Sequence, residues 1–113
     1  MIARTWRGAV ASRDRDVYLA YVEATGIAGY RNVPGNLGAW ILSRDLGDGR
    51  TEVVTLSFWE SYEAIREFAG DEVDRAVFYP DDDRYLVERD LQVAHFNVGR
   101  SGAPGADGIP AAG

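Results

Sequence analysis

The sequence predicts a single α+β domain whose elements follow the order of a split βαβ unit. Three observations support this class: the patterns run strand, helix, strand, strand, helix, strand; a hairpin signal joins the two middle strands; and 113 residues suit one domain. We therefore expect a four-stranded antiparallel sheet with helices on one face. The domain should cover residues 1–98. The Gly/Ala/Pro-rich tail at residues 99–113 should be disordered because it has few apolar side chains to bury.

The first strand and the first helix are predicted in the N-terminal quarter of the chain. Residues 2–10 alternate between two phases, as a strand does. Ser12 and Asp14 are N-cap candidates for a helix over residues 15–25, where aromatic and apolar side chains recur at helical spacing. Gly26 should weaken or bend the helix beyond that point.

The middle of the chain predicts a β-hairpin. Residues 36–44 alternate as a strand does, and residues 51–59 form the returning strand. Asp48 and Gly49 stand between them, and an Asp-Gly pair is a strong hairpin signal because both residues tolerate the backbone angles of a tight turn.

The rest of the domain predicts two helices and a last strand. Ser61 can cap a helix over residues 62–69, and Gly70 stands where a helix usually ends. Residues 71–77 are expected to form a further short helix. Residues 86–98 are expected to supply the last strand.

Three consecutive aspartates, Asp81, Asp82 and Asp83, precede that last strand. Such a run could indicate a magnesium site. Adjacent residues point in different directions, however, and no other ligand cluster accompanies the three. We therefore interpret the run as a solvated turn.

The two middle strands predict an assembly. Both of their alternating faces are apolar, although two helices can cover one face of a sheet only. A monomer would expose a large apolar patch, either on the opposite phase or on the set Leu37, Ile41, Val54, Leu56 and Phe58. The sequence therefore predicts a homodimer formed by sheet-on-sheet packing.

The composition excludes several kinds of chemistry. The chain has no Cys, and its 12 Lys+Arg residues are all Arg, so disulfides, thiolate nucleophiles, Schiff bases and P-loop lysines are absent. One His cannot supply a multi-histidine metal site. The net charge of -6 disfavours nucleic acid and anionic membranes, and no apolar run resembles a signal peptide or a membrane span. We expect a cytoplasmic protein that uses no cofactor or metal.

Two motifs resemble a known family. They are the Pro-Gly-Asn-Leu-Gly segment at residues 34–38, and the Phe-Trp-Glu-Ser segment at residues 58–61 with Ala64 one helical turn on. Their combination and spacing resemble the antibiotic biosynthesis monooxygenase (ABM) group of the dimeric α+β barrel superfamily, whose topology is ferredoxin-like. The resemblance covers residues 2–98. It implies a cofactor-independent monooxygenase acting on an aromatic or enolisable, polyketide-like natural-product intermediate.

The haem-degrading members of this group form an alternative. They use an Asn near the end of the first strand, a Trp in the second helix and an iron-ligating His after it. Aligned on the shared motif, this chain has Trp6, Phe68 and Phe78 at those positions. The usual haem ligand is therefore missing, and His95 or Tyr79 would have to replace it. We rank haem degradation below the cofactor-independent reaction.

Other members of similar fold offer partial matches. Those that form quinones from anthrone-type polyketides use a Trp at the start of the Trp-x-Ser motif, an Asn four residues earlier and a Tyr six later. Here Trp59 is kept, whereas Thr55 and Ile65 occupy the other two positions. A redox-neutral cyclase or isomerase, which would use a Tyr and His pair, stays open. A non-catalytic dimer that binds a hydrophobic or aromatic small molecule also stays open.

His95 and Trp59 are the candidate catalytic residues. His95 is the natural general base because histidine titrates near neutrality, and a structural histidine is the alternative. Trp59 would lie against the substrate, or else be a core Trp whose N–H finds a partner. The candidate substrate-binding residues are Arg4, Trp6, Tyr18, Trp40, Thr55 and Phe78. Arg4 could hold an anionic or phenolate oxygen, or instead pair with an acidic side chain.

Overall fold

The computed structural model describes residues 1–99, which form one antiparallel sheet with helices on one face. The strands are β1 (Ile2–Ala11), β2 (Asn36–Asp45), β3 (Arg50–Trp59), β4 (Leu86–Arg89) and β5 (Ala94–Asn97). Their order is β2-β3-β1-β4, and β5 also pairs with β1. The predicted α+β class is confirmed. The predicted disordered tail lies, apart from Gly99, outside the described residues.

The sheet has five strands rather than four because the predicted last strand is interrupted. β4 pairs with β1 near Gly8, and β5 pairs with β1 near its start. Between them the chain pairs with the segment after the third helix instead: Ala76 N donates to Leu91 O, and Val93 N donates to Asp74 O. The strand pattern of residues 86–98 was therefore correct at its two ends and wrong at its centre.

The helices are α1 (Arg15–Val22), α2 (Ala28–Arg31), α3 (Tyr62–Ala69) and α4 (Asp82–Tyr85). A π-helical turn at Glu23–Ile27 joins α1 to α2, so the chain stays helical through Gly26 and the predicted weakening takes the form of a wider turn. The predicted caps at Ser12 and Asp14 are wrong. Neither side chain caps a helix, and the Ser12 hydroxyl lies 2.9 Å from that of Thr51.

The predicted hairpin and the helix over residues 62–69 are confirmed. β2 and β3 pair along their whole length, and Gly49 has a φ of 84°, which suits glycine in the turn. Ser61 Oγ accepts a hydrogen bond from Ala64 N at 3.3 Å, and Gly70 ends α3 with a φ of 80°. The short helix predicted at residues 71–77 is absent. Those residues are irregular and form a bridge to the chain between β4 and β5.

The two faces of the sheet differ in what covers them. The helix-facing side holds the core, in which Val10, Val53 and Trp59 are fully buried. The register places Trp40 opposite Leu56 on the other side, which no helix of residues 1–99 covers. The predicted exposed set needs a correction at two positions. Phe58 lies on the uncovered face but is 7% exposed, and its ring packs edge-on against Trp40. Ile41 pairs with Thr55 and faces the helices, because the register shifts between Asn36 and Gly38.

No helix within residues 1–99 is long and apolar enough to cross a bilayer.

Candidate functional site

A cavity lies between the sheet and the helices, beneath the irregular segment at residues 76–79. The sheet contributes Trp6 from β1 and Thr55 from β3, which pair in register. The aromatic lining consists of Trp6, Tyr18, Tyr30, Phe68, Phe78 and Tyr79. The polar lining includes Thr25, Thr55 and Asp82. This mixture is typical of a small-molecule site, in which apolar walls bind the ligand and a few polar groups orient it.

The aromatic walls are built from contacts between different elements. Tyr30 and Phe68 join α2 to α3 with ring centres 4.4 Å apart, and Trp6 meets Phe78 edge-on at 6.1 Å. Gly8 makes room for the Trp6 ring, because a Cβ atom at Gly8 would lie 2.6 Å from that indole. These contacts between elements therefore define the shape of the cavity in this conformation.

The cavity is small in this conformation. Its volume is about 40 Å³. One water molecule needs about 10–15 Å³ on this scale, so the space suits roughly three water-sized molecules. Sites for drug-sized ligands are typically about 300–1,000 Å³. A ligand of two or three fused rings therefore requires part of the lining to move, and Phe78 and Tyr79 lie on the one wall that is neither helix nor strand.

The polar end of the cavity is centred on Asp82, which sequence analysis placed in a solvated turn. That interpretation is wrong for Asp82, which is 6% exposed, and right for its exposed neighbours. Asp82 Oδ1 accepts a hydrogen bond from Tyr18 Oη at 2.9 Å, and Oδ2 accepts one from Tyr79 N at 2.7 Å. A signal existed in the sequence. Asp82 lies three and four residues before Tyr85 and Leu86, both of which pack against the core.

Tyr18 is held in its neutral form by this environment. Burial, followed by the neighbouring Asp82 carboxylate, raises the pKa of Tyr18 well above its usual value. Its hydroxyl proton therefore stays on the oxygen and points to Asp82. Burial also raises the pKa of Tyr79, which lines the same cavity. Neither phenol can act as a base near neutral pH.

Trp59 lies behind the cavity and does not line it. The side chain is fully buried, and its Nε1 donates to Ser57 Oγ at 2.8 Å. The ring packs against Tyr30 at 5.7 Å and Phe68 at 6.4 Å, and those two rings are the ones that face the cavity. The geometry thus places Trp59 as a support for the wall, matching the alternative of a core Trp with a satisfied N–H.

His95 lies away from the cavity, between the buried Arg4 and the exposed Asp74. Arg4 Nη1 donates to His95 Nε2 at 3.0 Å, so Nδ1 must carry the ring hydrogen, which it donates to Asp74 at 3.0 Å. Burial and the neighbouring Arg4 guanidinium lower the pKa of His95. With both nitrogens occupied, this histidine has no free atom to accept a proton or to ligate iron.

Arg4 is also tied to backbone rather than to a ligand. It is 1% exposed, and it donates to Val73 O at 2.6 Å and to Arg75 O at 3.4 Å. The expected ion pair with an acidic side chain is not formed in the part of the chain that the structure describes. Arg4 therefore fastens the segment after α3 to the sheet.

The structure brings together four of the six predicted substrate-binding residues. Trp6, Tyr18, Thr55 and Phe78 line the cavity, whereas Arg4 does not. Trp40, the sixth, lies on the other face of the sheet, where its ring meets Phe58 edge-on at 5.8 Å. Within residues 1–99 no group of three or more acidic or histidine side chains is placed to hold a metal ion.

Comparison with solved structures identifies the fold. A putative antibiotic biosynthesis monooxygenase from Bacillus cereus matches with a TM-score of 0.65 at 22% identity, covering 90% of this chain and 96% of that one. A mutant of the cofactor-independent oxygenase SnoaB from Streptomyces nogalater matches with a TM-score of 0.58 at 14% identity, covering 89% and 95%. The haem degrader MhuD from Mycobacterium tuberculosis, with two haems bound in its active site, matches at 0.53 and 20% identity, covering 91% and 100%.

The other two comparisons gave nothing further. No protein-family model matches the sequence, and no curated protein matches it. The structural matches nevertheless span nine tenths of the chain and nearly the whole of each relative. The chain therefore has the fold of the antibiotic biosynthesis monooxygenases.

Proposed function

We propose that the chain is a cofactor-independent monooxygenase acting on an aromatic or enolisable small molecule of polyketide type. The observation that carries this proposal is the cavity, in which aromatic walls surround hydroxyl and carboxyl groups. Such walls bind flat or conjugated molecules by stacking and edge contacts. The fold that the chain shares with SnoaB, a cofactor-independent oxygenase, supports the same reaction class.

The reaction requires little more than a base and a shaped site. A base removes a proton from an activated CH2 group, and the resulting carbanion or enolate reacts directly with oxygen. One oxygen atom becomes the new carbonyl and the other leaves as water, so the substrate itself supplies all four electrons. The cavity contributes orientation, because its walls hold the ring plane in one position relative to its polar end.

The size of the cavity adds a requirement. A volume of about 40 Å³ cannot hold a polyketide ring system, so substrate must enter by displacing part of the lining. Phe78 and Tyr79 belong to the irregular segment that covers the cavity. They are the residues that we expect to move outward when a substrate of two or three rings binds.

Oxygen uptake tests the proposal. Purified protein is supplied with anthrone or with 2-tetralone, and dissolved oxygen is followed with an electrode. We expect uptake with one of them at one oxygen per product. Thr55→Leu should abolish the uptake because the added carbons project into the cavity, while Val17→Leu, a similar change at an exposed helix position, should not. Product formed at full rate under nitrogen would refute the oxygenase.

Two further outcomes separate the alternatives. Anaerobic turnover would favour a redox-neutral cyclase or isomerase, and tight binding of a probe without turnover would favour a binding protein. Addition of hemin tests the haem alternative. We expect no shift of the Soret band, because Arg4 and Asp74 occupy both nitrogens of His95, and because burial raises the pKa of Tyr79 and so disfavours the phenolate that would ligate iron.

The uncovered face of the sheet supports a homodimer. Its apolar stripe consists of Trp40, Leu42, Val54, Leu56 and Phe96, which are exposed or partly exposed, and of Phe58, which packs against Trp40 and is 7% exposed. Leu42 on β2 is 48% exposed and Phe96 on β5 is 56% exposed, and large apolar side chains exposed on one sheet face favour a covering partner. A second copy of this chain, packed face to face, would cover the stripe on both molecules at once because a two-fold interface is self-complementary.

Sedimentation velocity tests the dimer. Wild-type protein should sediment as a dimer, and Leu56→Arg should convert it into a monomer because it places a charge at the centre of the buried stripe. Val17→Arg introduces the same charge on an exposed helix position and should leave the dimer intact. A Leu56→Arg protein that remained dimeric would show that the copies meet elsewhere.

A further inference from the structure

From the geometry of the cavity we propose that Asp82 is its proton acceptor, and that the ligand it serves is a carbon or oxygen acid such as an enolisable ketone or a phenol. This inference rests on the proposed function and names the base that the reaction requires. It replaces His95 in that role, because the ring nitrogens of His95 are both engaged away from the cavity.

The lining itself leaves one group for this role. It contains no His, Arg or Lys, and Asp82 is its single carboxyl group among the described residues. Threonine hydroxyls are too weakly basic, and the phenols of Tyr18 and Tyr79 stay protonated because their pKa values are raised. The carboxyl group of Asp82 is thus the one group of the lining whose lone pairs can receive a proton from a ligand.

The hydrogen bonds of Asp82 leave capacity for a substrate. A carboxylate can accept about four hydrogen bonds, and Asp82 accepts two within the protein, one from Tyr18 Oη and one from Tyr79 N. The remaining lone pairs are free to meet a C–H or O–H group in the cavity. Tyr18 keeps the carboxylate oriented, and its oxygen lone pairs can accept a hydrogen bond from a hydroxyl group of the ligand.

Closing the turn does not by itself require a buried charge. The hydrogen bond from Tyr79 N to Asp82 Oδ2 fastens the turn before α4, but a neutral Asn could accept it equally well. Burying a carboxylate costs several kcal/mol more than burying an amide, and two hydrogen bonds offset this in part. A carboxylate that is 6% exposed beside an aromatic cavity therefore has a position suited to proton transfer, in addition to its hydrogen bond within the turn.

The step balances without an oxidant. The C–H or O–H bond of the ligand breaks, its proton moves to a carboxylate oxygen of Asp82, and the electron pair stays on the ligand as an enolate or a phenolate. Oxygen enters only afterwards. The proton transfer can therefore be measured in its absence, which separates this inference from the proposed oxygenase.

The experiment follows exchange of the acidic CH2 hydrogens of 2-tetralone and of anthrone for deuterium, under nitrogen in deuterated buffer, by proton NMR. Wild-type protein should accelerate the exchange of at least one probe above the buffer rate. Asp82→Asn, which keeps the size and the turn, should reduce that acceleration by about 10²–10⁴-fold, the usual contribution of a general base. Asp81→Asn makes the same change at the exposed neighbour and should leave the rate unchanged.

A second variant guards against loss of folding. Asp82→Ala should lose exchange, and added formate should restore part of it by occupying the space of the missing carboxylate. A structural role would not produce such rescue. Circular dichroism and quenching of tryptophan fluorescence by the probe show whether each variant is folded and binds.

Each outcome bears on the inference. An Asp82→Asn protein that binds the probe and keeps the wild-type exchange rate would overturn it, and so would wild-type protein that exchanges neither probe. Exchange that depends on Asp82 without any oxygen uptake in air would support Asp82 and refute the oxygenase. Oxygen uptake that survives Asp82→Asn would support the oxygenase and refute Asp82 as its base.

Discussion

Trp59 and Ser57 offer a direct test of whether the motif tryptophan supports the fold or acts on substrate. The indole is fully buried, and its one donor group reaches Ser57 Oγ at 2.8 Å. Ser57 is itself 1% exposed, so bulk water does not reach the indole N–H to replace the lost acceptor. Ser57→Ala therefore leaves a buried N–H without a partner.

The size of the effect follows from that geometry. An unsatisfied buried donor costs about 1–3 kcal/mol. For a domain of this length each kcal/mol lowers Tm by roughly 4–8 °C, so Ser57→Ala should lower it by about 4–24 °C. In a Trp59→Phe background the donor is already gone. There Ser57→Ala should cost about 1 kcal/mol less than in the wild type.

Urea unfolding of the four proteins of this double-mutant cycle measures the difference. Equal costs of Ser57→Ala in both backgrounds would refute the hydrogen-bond argument. Proton exchange and oxygen uptake, measured per folded molecule, decide the role of Trp59. We expect Trp59→Phe to keep most activity because Tyr30 and Phe68 separate the indole from the cavity. Loss of activity without loss of stability would restore Trp59 as a substrate contact.

Two further predictions concern Gly8 and His95. Gly8→Ala should weaken probe binding and lower the free energy of unfolding by about 1–3 kcal/mol, because the new Cβ displaces the Trp6 ring. Fluorescence titration measures the binding, and urea unfolding measures the stability. Unchanged binding would contradict the argument. The pKa of His95 is lower in the folded chain than in the unfolded chain. Below roughly pH 6.5, His95 therefore binds a proton in the unfolded chain more readily than in the folded chain. The free energy of unfolding should fall as the pH drops from 7 to 5. His95→Gln should flatten this slope in urea unfolding, and an equal slope in both proteins would show that other groups cause it.

The sequence patterns predicted the fold well because its determinants are local. The Asp-Gly turn, the Ser61 cap and the alternation of the long strands each depend on neighbouring residues, and each is observed. The failures lie where distant segments compete. Residues 91–93 have a strand pattern but pair with residues 74–76 rather than with β1, and no local pattern reveals that choice.

The site was predicted less well because the sequence does not show which groups each side chain contacts. His95 was singled out for its titration range, yet Arg4 and Asp74 bind both nitrogens from positions far away in sequence. Asp82 was dismissed as one of three similar residues. The difference between it and Asp81 is which way each side chain points, and that depends on the first turn of α4 packing against Tyr18.

Trp6 lines two separate surfaces of the molecule because the chain leaves the sheet between β4 and β5. Its indole walls the cavity on one side, and on the other it lines the groove on the outer face of the sheet, with Nε1 donating to Asp90 O at 2.8 Å. A partner molecule that covers the groove therefore touches the back of the ring that a ligand touches from the front. If a molecule bound in the groove moves this ring and so changes the affinity of the cavity for its ligand, the ligand changes the affinity of the groove by the same factor, and Trp6 would link the two surfaces thermodynamically.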